Sequence, residues 1–168
     1  MRAVIDRVVE ESGWNTEISG AESLEAEGWQ VGRGIACGYW AGPGESASCS
    51  LRLNDDGSIQ IVAGTVNLTG MSTALCQLTA EEFGISLDEV RYSTGDTDSA
   101  PQSTAASGSK ATRSVGQAIL SAAEDIREKI FSVASSKLEA DPADLVLVDG
   151  KVSVASAPER SLTLAEVA

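Results

Sequence analysis

Residues 47–63 read ASCSLRLNDDGSIQIVA, and this stretch predicts a β-hairpin. Apolar and polar side chains alternate over residues 47–53, a period of two that is typical of a half-buried strand. Turn-forming residues follow at 54–57, and apolar side chains return at every second position over residues 59–63. The chain is therefore expected to fold around a sheet of short strands.

Two main helices are predicted on the C-terminal side of this hairpin. The first follows residue 72 and ends before Gly84, which fits a left-handed C-terminal cap. A further short strand is expected at 90–92. A second hairpin is expected at 145–154, and it adds to the sheet or pairs with other parts of the protein.

The second of the two main helices runs from about 114 to 137. Its apolar stripe consists of Val115, Ile119, Ala122, Ile126, Ile130 and Val133. The predicted fold class is α+β, a mixed sheet of short strands with two main helices packed on one face.

The two ends of the chain are predicted to extend this core. Residues 1–32 are expected to form an N-terminal helix and an acidic linker, and residues 33–168 an α+β domain that begins with a strand over 35–40. Near the other end, Thr163 and Glu166 have the spacing of a capping box, which starts a helix. The sequence stops two residues later, so we expect a segment of a longer subunit.

The composition excludes several classes of function. Asp and Glu number 25 against 12 Lys and Arg, a net charge of −13, so no basic surface for nucleic acid is expected. Histidine is absent, which excludes a Ser-His-Asp triad and a His-ligated zinc. The three cysteines lack a C-x-x-C spacing and favour buried, reduced thiols in the cytoplasm. No apolar run approaches ~18 residues and no secretory signal is present, so neither a membrane span nor export is expected.

Two loops of small residues precede the two main helices, the first loop at 69–73 and the second loop at 103–112. Helix N termini carry unpaired N–H groups and a partial positive charge, and small side chains let an anion approach the backbone. Lys110 adds a positive charge, so the two loops together can hold a phosphorylated cofactor. The alternative is that Ser72 and Ser114 only cap their helices.

Two shorter motifs point to structure rather than to a ligand. Asp96 and Asp98 form a D-x-D pair, which favours a turn, because a cation site needs more oxygen ligands than the pair supplies. Residues 32–34 form a lone G-x-G without a preceding strand or a third glycine, so they are not a dinucleotide-binding motif.

The segments around the two loops form a series of blocks. They are GTVNLTGMST (64–73), AEEFG (80–84), GDTDSAP (95–101), TAASGSK (104–110) and GQA (116–118). In order and spacing these blocks resemble the molybdenum hydroxylase large subunit, the family of xanthine dehydrogenase, aldehyde oxidase and aerobic carbon monoxide dehydrogenase. The resemblance implies a bound molybdopterin with molybdenum, in some members as the cytosine dinucleotide. It also implies a metal centre that oxidises an aldehyde, a purine, an N-heterocycle or carbon monoxide with oxygen derived from water.

The resemblance also implies which residues line the cofactor. On the first loop these are Thr69, Gly70 and Thr73. Ala105 and Ala106 would lie closest to the metal. The remaining residues of the second loop implied in binding are Ser107, Gly108, Ser109, Lys110 and Thr112.

The chain departs from the family in three places. Residues 68–70 lack the glutamine that many members carry before the first helix, and Lys110 stands where many have arginine. The family's glutamate base has no counterpart, so no catalytic residue and no metal ligand is assigned.

The resemblance implies the remainder of the large subunit, an iron–sulfur subunit and a flavin subunit as partners, and leaves a homo-oligomer open. One alternative is a non-catalytic anion-binding or interaction module that kept the fold and lost the cofactor. Another is a structural domain that pairs with a partner chain.

Overall fold

A computed structural model describes residues 1–39 and 44–168, which belong to two units. The first unit contains helices α1 (Arg2–Glu11) and α2 (Ala21–Ala26), and none of the residues of either helix is buried. The strand predicted over 35–40 does not form over residues 35–39, where Tyr39 is 83% exposed and no strand lies alongside within the described part of the chain. Trp40 of that prediction, and Gly42 and Pro43 beyond it, lie outside the described residues.

The second unit begins with the predicted hairpin. Strands β1 (Cys49–Leu53) and β2 (Ile59–Ala63) pair antiparallel, with Leu51 opposite Ile61. Helix α3 (Met71–Phe83) then crosses over to strand β3 (Val90–Ser93), which pairs parallel to β2. The first sheet therefore has the order β1-β2-β3 and is mixed, as predicted.

A long helix and a second sheet complete this unit. Helix α4 (Ala111–Leu138) has 28 residues and is about 42 Å long, at a rise of ~1.5 Å per residue. Strands β4 (Leu145–Val148), β5 (Lys151–Val154) and β6 (Ala157–Thr163) form an antiparallel sheet of their own. The predicted hairpin at 145–154 therefore belongs to a second sheet and does not extend the first. Helix α5 (Leu164–Val167) follows, and the predicted capping box forms through the side chains of Thr163 and Glu166.

Two apolar cores lie along α4. In the first core, Ile61 of β2 packs with side chains of both α3 and α4, so the two helices cover one face of the first sheet. In the second core, Ile59 and Phe83 pack with the later turns of α4 and with the second sheet. The prediction of an α+β fold is thus confirmed, with a second sheet that it did not contain. Within the described part of the chain, every helix falls short of the length and apolar character that a bilayer crossing requires.

Candidate functional site

The two small-residue loops lead directly into the first turns of α3 and α4. The N-cap residues are Gly70 and Lys110, and no side chain of the described residues caps either helix from that position. Ser72 and Ser114 lie inside the first turns, so the alternative in which they are the caps is wrong. The amide of Ser72 donates to the side-chain oxygen of Asn67 at 3.1 Å, which satisfies one of the free N–H groups of α3.

Both helix N termini lie at the same end of the unit. Met71, the first residue of α3, packs in the first core with Val115 near the start of α4. Phe83, the last residue of α3, packs in the second core with Ala123 and Ile130 further along α4. The helices therefore run side by side in the same direction, and their positive ends point the same way.

Each loop contains two successive residues with left-handed backbone. Thr69 and Gly70 have φ angles of 55° and 81°, and Gly108 and Ser109 have φ angles of 59° and 55°. This conformation costs a residue with a side chain about 1–2 kcal/mol. Strained backbone of this kind clusters at binding and catalytic sites. Thr69 and Ser109 therefore mark both loops as candidates for a functional role.

The predicted cofactor residues differ in how accessible they are. Thr69 and Gly70 are exposed, and Thr73 is exposed in the first turn of α3 and not in a loop. Lys110 is buried and Gly108 is partly buried. The other second-loop residues named above are exposed, with Thr112 already in the first turn of α4: Ala105, Ala106, Ser107, Ser109 and Thr112.

The segments leading from the strands towards the two loops are held together. A Cβ atom placed on Gly64, at the end of β2, would lie 2.4 Å from the carbonyl oxygen of Pro101. The carbonyl oxygen of Thr65 accepts hydrogen bonds from the hydroxyls of Thr94 (2.6 Å) and Tyr92 (3.4 Å). Only a residue without a side chain can lie as close to Pro101 as Gly64 does. The segment before the first loop and the segment before the second loop are therefore in contact.

Lys110 is engaged by a residue that the sequence did not single out. Its ammonium group donates to one carboxylate oxygen of Glu45, and the Thr104 hydroxyl donates to the other at 2.6 Å. The Glu45 amide donates to the hydroxyl of Ser114 at 3.1 Å. The hydrogen bond from Lys110, followed by that from Thr104, lowers the pKa of Glu45 below its ordinary value. The positive charge predicted for anion binding is thus already paired within the chain.

The D-x-D pair forms a turn, as predicted. The Asp96 carboxylate accepts from the Asp98 amide at 2.9 Å and from the Ser99 hydroxyl at 2.8 Å. These hydrogen bonds, that of the Asp98 amide first, lower the pKa of Asp96. Within residues 1–39 and 44–168, no group of three or more Cys, Asp or Glu side chains is arranged to hold a metal ion.

The three cysteines are free thiols in different environments. Burial raises the pKa of Cys49 to about 11 and also raises that of Cys76. Cys37 is exposed, so the expectation of buried thiols is wrong for this residue.

The donor set of the two loops fits an anionic, phosphate-bearing group. Two helix N termini point the same way, the side chains of Ser107 and Ser109 are exposed beside them, and Gly70 leaves open space around its backbone. Thr69 is also exposed, but its hydroxyl donates to the carbonyl oxygen of Leu68 at 2.8 Å. With Lys110 paired to Glu45, the donors available to such a group are backbone N–H groups and hydroxyls.

Comparison with known proteins identifies the kind of domain. The family model of the molybdopterin cofactor-binding domain matches residues 7–168. The chain is 32% identical over 138 residues to the putative xanthine dehydrogenase molybdenum-binding subunit of Escherichia coli K12, a match that covers 78% of this chain and 18% of that subunit. It is also 32% identical over 122 residues to the carbon monoxide dehydrogenase large chain of Afipia carboxidovorans, covering 72% of this chain and 15% of that one.

A solved structure gives the same result. The Cu,Mo-CO dehydrogenase in its carbon monoxide reduced state matches with a TM-score of 0.68 and 31% identity, over 73% of this chain and 16% of that chain. The chain therefore spans about a fifth or less of the length of the relatives it matches.

Proposed function

The chain belongs to the molybdopterin cofactor-binding domain family, and from this membership we propose that its two loops hold the molybdopterin of a molybdenum hydroxylase. The observation that supports this most is the pair of parallel helices α3 and α4, whose N termini lie at the same end behind loops of small residues. A phosphate group placed there meets the positive ends of two helix dipoles and those N–H groups of the first turns that Asn67 and Leu68 leave free. When bound, the cofactor supplies the metal centre at which a substrate carbon is oxidised with oxygen from water.

The residues of the loops have two roles in this proposal. The hydroxyls donate hydrogen bonds to phosphate and pterin oxygens, and residues with little or no side chain let the cofactor approach the backbone. Lys110 is not a free cation, so it acts through its ion pair with Glu45. The hydroxyl donors are Thr69, Thr73, Ser107, Ser109 and Thr112, and the small residues are Gly70, Ala105, Ala106 and Gly108. The Thr69 hydroxyl has to leave its hydrogen bond to the Leu68 carbonyl oxygen before it can donate to the cofactor.

The relatives are named as a molybdenum-binding subunit and a large chain, so they are parts of multi-subunit enzymes. We extend this to the present chain and propose as its partners the remainder of a large subunit, an iron–sulfur subunit and a flavin subunit. The division into a linker at 1–32 and a domain at 33–168, and a cytoplasmic location, stay predictions. The family match over residues 7–168 favours a domain that binds the cofactor over one that has lost it.

Expression of the 168-residue chain together with the cofactor-synthesis machinery tests the proposal. Purified protein is assayed for molybdenum by mass spectrometry and for pterin by fluorescence after oxidative release. Ser109→Asp introduces a carboxylate into the second loop at a left-handed position that aspartate tolerates. A like charge a few ångströms from a phosphate costs about 1.4 kcal/mol or more, so we expect pterin binding to fall at least about tenfold.

Ser132→Asp is the matched control, because Ser132 is exposed on α4 in the half of the helix away from the loops. This variant should carry as much pterin as the wild type. The proposal is wrong if the wild-type chain carries no pterin, or if Ser109→Asp carries the wild-type amount.

A further inference from the structure

Glu45 lies in an irregular segment before β1, yet it contacts both ends of the central part of the second loop. One carboxylate oxygen accepts from the Thr104 hydroxyl and the other from the Lys110 ammonium group. The five residues between these two, 105–109, include the left-handed pair Gly108 and Ser109. The carboxylate therefore bridges the two ends of this segment. We call this bridge, formed by Glu45 with Thr104 and Lys110, the clasp.

The environments of the two charges explain why the contact is specific. The Lys110 side chain is only 11% exposed, whereas the Glu45 side chain is 48% exposed. A buried ammonium group without a counter-ion is strongly unfavourable, so Lys110 depends on the Glu45 carboxylate to stay in its position. The Glu45 amide is fixed in turn by the Ser114 hydroxyl, which is buried in the first turn of α4.

The contact also maintains the backbone of the segment. Ser109 has a left-handed backbone, which is unfavourable for a residue with a side chain, so this conformation persists only where the surroundings hold the ends of the segment. The hydrogen bonds within the segment are few: the Ser107 amide donates to Ala105 at 2.9 Å and the Lys110 amide to Ser107 at 3.3 Å. The bridge that Glu45 forms between residues 104 and 110 therefore has a large influence on the backbone conformation of residues 105–109.

We propose that Glu45 is a positioning residue of the cofactor site, whose carboxylate joins Thr104 to Lys110 and so holds residues 105–109 in the conformation that binds the cofactor. This inference rests on the function proposed above. Glu45 does not touch the cofactor in this scheme. It acts through the two loop residues that it holds.

Amide hydrogen exchange on the full 168-residue chain tests the clasp without any cofactor. The probes are the amides of Ser107, Lys110 and Ser114, each of which donates to a backbone carbonyl. Glu45→Gln removes the charge and keeps the size, and we expect exchange at these amides to become at least tenfold faster. Glu128→Gln, at an exposed site on α4, should leave exchange unchanged.

Two further variants show whether the ion pair itself is responsible. The exchanged pair Glu45→Lys with Lys110→Glu should return exchange to within threefold of the wild-type rate, although each single change speeds it. Thr104→Val removes one arm of the clasp, keeps the ion pair, and should give an intermediate rate. The proposal is overturned if Glu45→Gln leaves the rates unchanged, or if the double exchange is as fast as the single changes.

The pterin assay separates this inference from the proposed function. If the wild type carries pterin, Glu45→Gln should carry at least tenfold less, and an equal amount in both would overturn the positioning role while the proposed function stands. If the wild type carries no pterin, the proposed function fails, and with it the role of Glu45 at a cofactor site. The exchange rates then still decide whether the clasp exists.

Discussion

Replacing Gly64 by alanine tests whether the segments that carry the two loops are held rigidly against each other. The added Cβ would lie 2.4 Å from the Pro101 carbonyl oxygen and 3.6 Å from the Cβ of Ser103. Since contacts between carbon and other heavy atoms are favourable at about 3.5 Å, the end of β2 and the Pro101 segment have to move apart by about 1 Å. Overpacking of this kind costs about 1–3 kcal/mol. We take about 2 kcal/mol, which lowers the Tm of a chain of this size by about 4–8 °C.

Thermal unfolding followed by far-ultraviolet circular dichroism measures this effect. Gly32→Ala is the control, because no described residue lies within 4 Å of its Cβ and its φ is outside the left-handed region. That variant should be neutral or stabilised by up to about 1 kcal/mol, since alanine restricts the unfolded chain. Equal Tm values for the two variants would refute the argument, because they would mean that the Pro101 segment yields without cost.

Other perturbations give further expected results for this part of the chain. Gly84→Ala combines a left-handed φ of 63° with a Cβ only 2.7 Å from the Asp149 amide nitrogen, so the Tm should fall by about 6–12 °C for a loss of about 3 kcal/mol. Ile119→Ala empties a fully buried site and should lower the free energy of unfolding by about 2–5 kcal/mol, seen as a lower urea midpoint with an unchanged slope. Hydrogen bonds from the Ser58 hydroxyl and amide lower the pKa of Asp56, so its contribution to stability is complete above its ordinary pKa of about 4 and is lost as the pH falls through the lowered value. Urea midpoints measured at decreasing pH should therefore fall less steeply in Asp56→Asn than in the wild type, and identical slopes would contradict this.

The regular elements with a clear periodicity were predictable from the sequence. Three predicted features form: the hairpin at 47–63, the C-terminal cap of α3 at Gly84, and the capping box that starts at Thr163. Each of them depends on residues within a few positions of one another. Strand β6 gave no such signal. Its sequence APERSLT contains a proline and two charges, and most of its side chains are exposed at the edge of a sheet.

The parts of the site that depend on distant residues were not predictable. Small residues before α3 and α4 indicated an anion-binding surface, and the family assignment confirms a molybdopterin cofactor. That these loops hold it stays a prediction. The pairing of Lys110 with Glu45 joins positions 65 apart in the sequence, and no local pattern announces it. The close contact between Gly64 and Pro101 was not predictable either, because a glycine in a sequence does not indicate which part of the backbone it packs against.

The length of α4 determines whether the second unit can be cut into smaller pieces that still fold. Ile119 belongs to the core on the first sheet and Ile130 to the core on the second, so neither core closes without the same helix. The two sheets share no backbone ladder among the described residues, but both pack against α4, so we expect them to unfold together. A deletion or a proteolytic cut that removes the terminal sheet uncovers the later turns of α4, and we expect the loss of this packing to destabilise the helix that follows the second loop. We therefore expect a shortened version of this domain to stay folded only where another element replaces the second sheet.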